Sequence, residues 1–315
     1  MKILITGVHG FVGSNLVEAL AKEHTIYGLD IISPTKEGVR FTFAWDYLDK
    51  KKEIPDVDAI IHLAGKAHDT KNQSAAEVYF KVNTGLTQKI FDWYLVHPTA
   101  KKFIFFSTAK AAADRVDGVL TEDVTPAPVG PYGESKIKAE EYILSRMEDV
   151  SSKNNNVYIF RPCMIHGPGN KGNLNLLYGV VKKGIPWPLG AFENRRTFTS
   201  IQNICFAVNG VLTKDVPSGI YNMGDDEALS TNELIEEICK SLGKKAHIWR
   251  LPKGLMTGVA KLGGMLHLSL NPERLQKLTE NYVSSNAKIK KALGVDKMPV
   301  DARTGLQRTL ESFKD

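Results

Sequence analysis

With 315 residues, 43% of them hydrophobic and 24% charged, and a formal net charge of +6, the chain can bury a large core and lacks the bias of a disordered or fibrous sequence. The positive balance suits an anionic small molecule, while no basic run interleaved with aromatics points to nucleic acid. Cys163, Cys205 and Cys239 are scattered without a C-x-x-C pair, and MKILITG is too short an apolar run for a secretory signal, so the expectation is a cytoplasmic protein with reduced thiols and no metal.

Residues 2–6 (KILIT) read as a strand, Gly7 to Gly13 as a glycine turn, and Leu16, Leu20 and Ala21 as the apolar face of a helix. A second strand over 25–29 ends in Asp30. Strand-like runs at 59–63, 102–106 and 157–160 alternate with helical patterns at 75–97 and 132–148, which predicts an α/β fold built on a doubly wound parallel sheet, a Rossmann arrangement. After Pro162 the texture changes to loops dense in Gly, Pro and Asn, marking a second, smaller substrate-binding lobe. The boundaries expected are 1–164 for the dinucleotide-binding domain, with a return at 197–224, and 165–196 with 225–315 for the lobe. Within these, 219–224 (GIYNMG) reads as a strand, and helices start at Ser230 and Asn271. The apolar stretch from Leu251 to Leu270 is broken by Pro252, four glycines and two lysines, which is poor material for a membrane-spanning helix.

Gly7-x-x-Gly10-x-x-Gly13 stands between strand and helix, where missing Cβ atoms let backbone amides approach a pyrophosphate. Asp30 suits the two ribose hydroxyls of a dinucleotide and repels a 2′-phosphate, favouring NAD over NADP, with Lys36 and Arg40 acting in the opposite sense. Tyr132-x-x-x-Lys136 places a phenol and an amine one helical turn apart on one face. The ammonium is expected to lower the phenol's pKa toward neutrality, making it a usable acid or base. The strand FIFF runs into Ser107 and Thr108, hydroxyls able to orient a substrate oxygen.

Together with WDYLD at 45–49, IIHLAG at 60–65, VN at 82–83, PYGESK at 131–136, RPCMIHGPGN at 161–170 and NRRTFTSIQN at 194–203, these motifs resemble those of the extended short-chain dehydrogenase/reductase family, the NAD-dependent epimerase/dehydratases. The resemblance implies Tyr132 as proton donor or acceptor, Lys136 on the nicotinamide ribose, and Thr108 with Ser107 holding the reacting oxygen. For NAD it implies Gly7, Gly10, Phe11, Val12 and Gly13 at the pyrophosphate, Asp30 at the ribose, and Asp46 and Tyr47 at the adenine end. Leu63, Ala64, Gly65 and Pro162 would line the cofactor, and Asn83 would steady the adjacent strands. Asn173, Arg196 and, less closely, Arg274 match positions that grip a nucleotide's diphosphate. Lys66, His68 and Lys110 would face the cleft, Lys110 toward substrate.

Dehydratases of this family carry Asp-Glu just after the active-site Thr; Ala109 and Lys110 stand here, so dehydration is not expected. What the resemblance leaves is hydride exchange at C4 of a UDP-hexose, as 4-ketoreduction or 4-epimerisation. STAKAAAD at 107–114 is similar to the branch containing UDP-N-acetylquinovosamine dehydrogenases of surface-polysaccharide synthesis. Two departures stand near the substrate positions: His166 replaces the family's Tyr, and Asn203 its acidic residue. A reductase of a non-nucleotide carbonyl and a dinucleotide sensor without turnover are the alternative readings. The helices at 75–97 and 132–148 resemble the family's four-helix interface, which implies a homodimer.

Overall fold

Near-continuous apolar runs such as Ile3-Leu4-Ile5 and Phe103-Ile104-Phe105 are what a parallel sheet covered on both faces requires, and all six of these side chains are buried. The computed structural model describes residues 1–49, 54–67, 75–170, 172–265 and 271–314. In chain order the first part comprises β1 (Lys2–Thr6), α1 (Phe11–Leu20), β2 (Thr25–Leu29), β3 (Val39–Phe43), a 3₁₀ turn (Trp45–Asp49), β4 (Ala59–His62), α2 (Ala76–Tyr79), α3 (Leu86–Val96), β5 (Lys102–Phe106), α4 (Ala109–Ala112), β6 (Val119–Leu120), α5 (Pro131–Leu144), α6 (Met147–Ser152) and β7 (Asn156–Pro162). There follow β8 (Met164–His166), α7 (Asn173–Lys182), β9 (Phe198–Ser200), α8 (Ile201–Thr213), β10 (Gly219–Met223), α9 (Thr231–Ser241), α10 (Lys253–Met265), α11 (Pro272–Thr279), β11 (Val283–Ser284), α12 (Ala287–Leu293) and α13 (Ala302–Glu311).

The central sheet has seven strands in the order β3-β2-β1-β4-β5-β7-β10, every neighbouring pair parallel. Successive residues of a strand point to opposite faces, so Ile3 and Ile5 join one core with Leu16, Ile204 and Val208, while Leu4 joins another with Ile90, Phe91 and Ile143. Helices thus cover both faces of the sheet, which is the doubly wound architecture. A third core gathers Leu174, Trp187, Leu234, Ile238, Met256 and Leu306 from β8 onward. In this region α9 starts with a reciprocal capping box between Ser230 and Glu233, and Asn271 caps α11 through the Arg274 amide.

Two elements depart from the sequence reading. The helix expected over 75–97 is interrupted by a π turn at Phe80–Gly85, and that expected over 132–148 ends at Leu144, with α6 beginning at Met147. Among the described residues no helix is long and apolar enough to cross a membrane.

Candidate active site

β1 and β4 are neighbours whose connections leave in opposite directions, and the crevice beyond their C-terminal ends is where doubly wound sheets hold ligands. Gly7 turns the chain out of β1 with φ +70°, a conformation in which a side chain would be strained. A Cβ on Gly13 would collide with the Gly7 carbonyl and stand 2.9 Å from Val8, so only glycine lets α1 pack so close to the strand end. The N-terminus of α1 carries no side-chain cap and no acidic residue in its first turn. Its amides from Phe11 to Gly13 therefore form an anion cradle. Asp30, just past β2, fixes the turn by accepting the His9 amide at 3.1 Å and the Ile31 amide at 2.7 Å. Lys36 reaches the same edge, donating to Ser14 Oγ at 2.8 Å, whereas Arg40 is exposed. On the 3₁₀ turn, the Tyr47 ring packs tilted against Phe43 with ring centres 5.3 Å apart, and Asp46 is exposed.

The opposite wall is fixed by a buried chain of hydrogen bonds. Thr6 Oγ1 accepts the amides of Leu63 and Ala64 at 3.1 and 3.0 Å, so its own hydrogen points to His62 Nδ1 at 2.7 Å. His62 therefore carries its proton on Nε2, facing Thr87 Oγ1 at 2.9 Å, and Thr87 donates to the Asn83 carbonyl at 2.6 Å. Burial holds the imidazole well below its ordinary pKa, with the Lys136 charge acting in the same sense, so the ring stays neutral. Asn83 sits in the π turn, where its side chain accepts the Lys66 amide at 2.7 Å and donates to Ser135 Oγ at 2.9 Å. Ser135 in turn donates to the Tyr132 carbonyl at 2.9 Å, tying the loop after β4 to the start of α5.

Tyr132 and Lys136 lie on α5, which follows Gly130 at its N-cap and has Pro131 as its first residue. A Cβ on Gly133 would stand 2.7 Å from the Lys110 carbonyl, so this glycine lets α5 close on α4 and brings Tyr132 to Thr108. Thr108 hydrogen-bonds the phenol, and the buried Tyr79 ring meets that of Tyr132 edge-on at 6.3 Å. Lys66 stands over the Tyr79 ring, 5.5 Å from its centre. Lys136 is buried, donates to the Phe106 carbonyl at 2.8 Å and lies 4.9 Å from the centre of the Phe105 ring.

The expectation that Lys136 lowers the phenol's pKa is corrected here. Burial pushes Tyr132 above its ordinary value, against which the Thr108 hydrogen bond acts, and the Lys136 amine is directed at a backbone carbonyl. Burial instead lowers Lys136 to about 8, the nearby Glu140 charge partly opposing it. Between this value and the ordinary 10.5, the unfolded chain still binds a proton that the folded one has released. Stability of the cofactor-free protein, measured by urea unfolding relative to Lys136→Met, is therefore expected to rise by about 3 kcal/mol as pH climbs through that window, the cost of the buried ammonium being present below it and relieved above it.

Ser107, expected beside Thr108 as a substrate-oxygen ligand, commits its hydroxyl hydrogen to Glu140 Oε1, and Glu140 is gripped by Arg161 at 2.5 Å. Its place is under the site, because a buried carboxylate needs every donor it can reach. Lys110 lines a cavity of about 260 Å³ with Tyr132, Asp114, Gln276, Lys277 and Glu280, and its ammonium is held by Asp114 at 2.6 Å. Arg196 reaches that wall from the segment before β9: it donates to the Lys277 carbonyl and pairs with Glu280 at 3.6 Å. Asn173 is exposed at the start of α7, Arg274 is exposed on α11, and Pro162 is buried at the end of β7; His68 lies outside the described residues. A wider dish of about 520 Å³ around Met1, His24 and Asp58 sits at the N-terminal ends of the strands, away from this chemistry. His62, Tyr79, Glu140 and Arg161 carry no role in the sequence reading, although His62 falls inside IIHLAG and Arg161 opens RPCMIHGPGN.

The sequence profile of the NAD dependent epimerase/dehydratase family matches residues 3–224. The chain belongs to this family. It is 30% identical to the UDP-glucose 4-epimerase of Vibrio cholerae over 99% of this chain and 95% of that protein. Identity is 27% to the N-acetyl-alpha-D-glucosaminyl-diphospho-ditrans,octacis-undecaprenol 4-epimerase of Escherichia coli O157:H7, over 98% of this chain and 94% of that one. The fold is shared with the UDP-glucuronic acid 4-epimerase of Bacillus cereus, solved in complex with NAD: TM-score 0.75, 22% identity, covering 100% of this chain and 99% of that chain. This member of the family is an NAD-dependent enzyme, and the uncapped α1 terminus, the Gly13 close approach and Asp30 fit that dinucleotide. Among its described residues, no cluster of three or more His, Cys, Asp and Glu side chains is arranged to hold a metal ion.

Proposed function

We propose that this enzyme exchanges hydride at C4 of a UDP-hexose, by 4-epimerisation or 4-ketoreduction, in the making of surface-polysaccharide precursors in the cytoplasm. The observation that carries this reading is the Tyr132 phenol, held by Thr108 at a cavity shared with Lys110 and one helical turn from Lys136. Bound NAD supplies the hydride acceptor and donor. Tyr132 transfers the matching proton at the C4 oxygen, and Thr108 stabilises the phenolate that results. A phenol raised above its ordinary pKa is protonated at neutral pH, which suits proton delivery to a 4-keto oxygen. Lys136 holds the nicotinamide ribose, Ser107 braces the floor through Glu140, and Asn83 fixes the loop from Leu63 to Gly65 that lines the cofactor with Pro162. Gly7, Gly10, Phe11, Val12 and Gly13 take the pyrophosphate, Asp30 the ribose, and Asp46 with Tyr47 the adenine end.

The third core carries the substrate lobe, assigned to 165–196 and 225–315. Arg196, with Asn173 and Arg274, grips the diphosphate there, a planar guanidinium exchanging the Glu280 carboxylate for phosphate oxygens. Arg196→Leu is expected to raise KM for UDP-sugar by about tenfold or more with a much smaller change in kcat, read from steady-state kinetics. The chain pairs as a homodimer along α3 and α5, which sedimentation tests.

The deciding experiment offers a panel of UDP-sugars and UDP-4-keto-sugars, with and without NAD(H), and follows products by mass and NMR. Inversion at C4 without added cofactor identifies a 4-epimerase, and NADH-dependent consumption of a keto-sugar a reductase. Turnover of simple ketones with no UDP-sugar converted would overturn the proposal.

A further inference from the structure

α10 has two apolar faces. Met256, Ala260 and Gly263, spaced by helical turns, are buried against the third core. On a different side, Leu255, Val259, Leu262 and Met265 follow the same spacing yet remain 55, 43, 59 and 76% exposed. Trp249, shortly before the helix, is exposed as well. Scattered exposed apolar residues need no explanation, but a stripe along three turns of one helix calls for something to cover it.

Charge selects the cover. From Ile238 through Pro272 the sequence has no Asp or Glu, while it carries Lys240, Lys244, Lys245, Arg250, Lys253 and Lys261. Lys261 stands one turn from Met265 at the edge of the stripe, and it and Lys253 are exposed. A second copy of this chain would meet the face with charge of the same sign. Leucine, methionine and tryptophan interleaved with lysine, in a segment without Asp or Glu, is the composition of a helix that lies in a membrane interface. At Lys253–Met265 the helix is too short to cross one.

We propose that the outer face of α10 docks this enzyme on the surface of an anionic phospholipid bilayer, with Leu255, Val259, Leu262 and Met265 entering the headgroup boundary. The inference does not depend on which sugar is converted. α10 packs on α11, whose Gln276 and Lys277 line the cavity beside Tyr132, so docking holds that cavity one helix from the lipid headgroups.

The test is flotation of the full chain with vesicles of phosphatidylcholine, alone or doped with phosphatidylglycerol, at low and high salt. Flotation with the doped vesicles only, weakened by salt, is the expected result, and Leu262→Glu with Met265→Glu should reduce it by about tenfold or more while the melting temperature holds. If that pair unfolds the protein, Lys253→Gln with Lys261→Gln is expected to weaken binding and flatten its salt dependence. A wild type that never floats, or acidic and lysine variants that float as well as it does, overturns the proposal. So does a wild type that stays in the aqueous phase and self-associates through a face that the acidic variant disrupts.

Discussion

Replacing Tyr132 by Phe is expected to lower kcat by about 10²–10⁴-fold while substrate KM and NAD affinity change by no more than about threefold. The change removes one oxygen and leaves the ring against Tyr79, so packing survives. Its loss deprives the buried Thr108 hydroxyl of a partner and costs about 1–3 kcal/mol of stability. Lys136 is turned to the Phe106 carbonyl and Ser107 to Glu140, so neither is placed to take over the proton transfer. NAD binding, followed by calorimetry, should persist because the glycine turn, α1 and Asp30 are untouched. A Phe variant retaining full turnover would mean that the reacting proton moves elsewhere, and the assignment of α5 as the catalytic helix would fall.

The sheet was legible because buried parallel strands advertise themselves. KILIT, FIFF and the run beginning at Val157 are apolar at nearly every position, and β1, β2 and β5 fall on the residues the sequence suggested. β3 gave no such signal, since it is an edge strand whose Arg40 and Phe41 are exposed. The π turn before α3 was illegible for a different reason: one added residue in the helical repeat shifts the apolar stripe too little for periodicity to register. In the site, Tyr132 and Lys136 could be paired from sequence because a single helical turn sets their spacing. Glu140 and Arg161 could not. They come from α5 and β7, and charged side chains in the sequence read as surface until the fold shows them meeting in the core. The phenol's pKa was misjudged through the same gap, because burial is a property of the assembled site and outweighs a neighbour's sign of charge.

Glu140 and Arg161 carry the second large expectation, and it concerns stability and chemistry together. Arg161 donates through Nε at 3.1 and 3.0 Å and through Nη2 at 2.5 Å to the Glu140 carboxylate, both side chains being buried. Glu140→Leu alone leaves a guanidinium in the core with no counter-charge and should cost about 3–5 kcal/mol in urea unfolding. Arg161→Met alone strands the carboxylate with Ser107 as its remaining named donor and should cost a similar amount. Combining them removes both charges, so the double variant is expected to recover most of the loss, since a desolvated pair can be replaced by apolar side chains with little net change. Activity should not recover in parallel. The Glu140 charge is what raises Lys136 against its burial, and without it the amine falls further below about 8. Its ammonium form, and with it the alkaline limb of kcat/KM, is expected to move to lower pH in the stable double variant. An unshifted profile would show that Glu140 supports the fold alone and leaves Lys136 to its own environment.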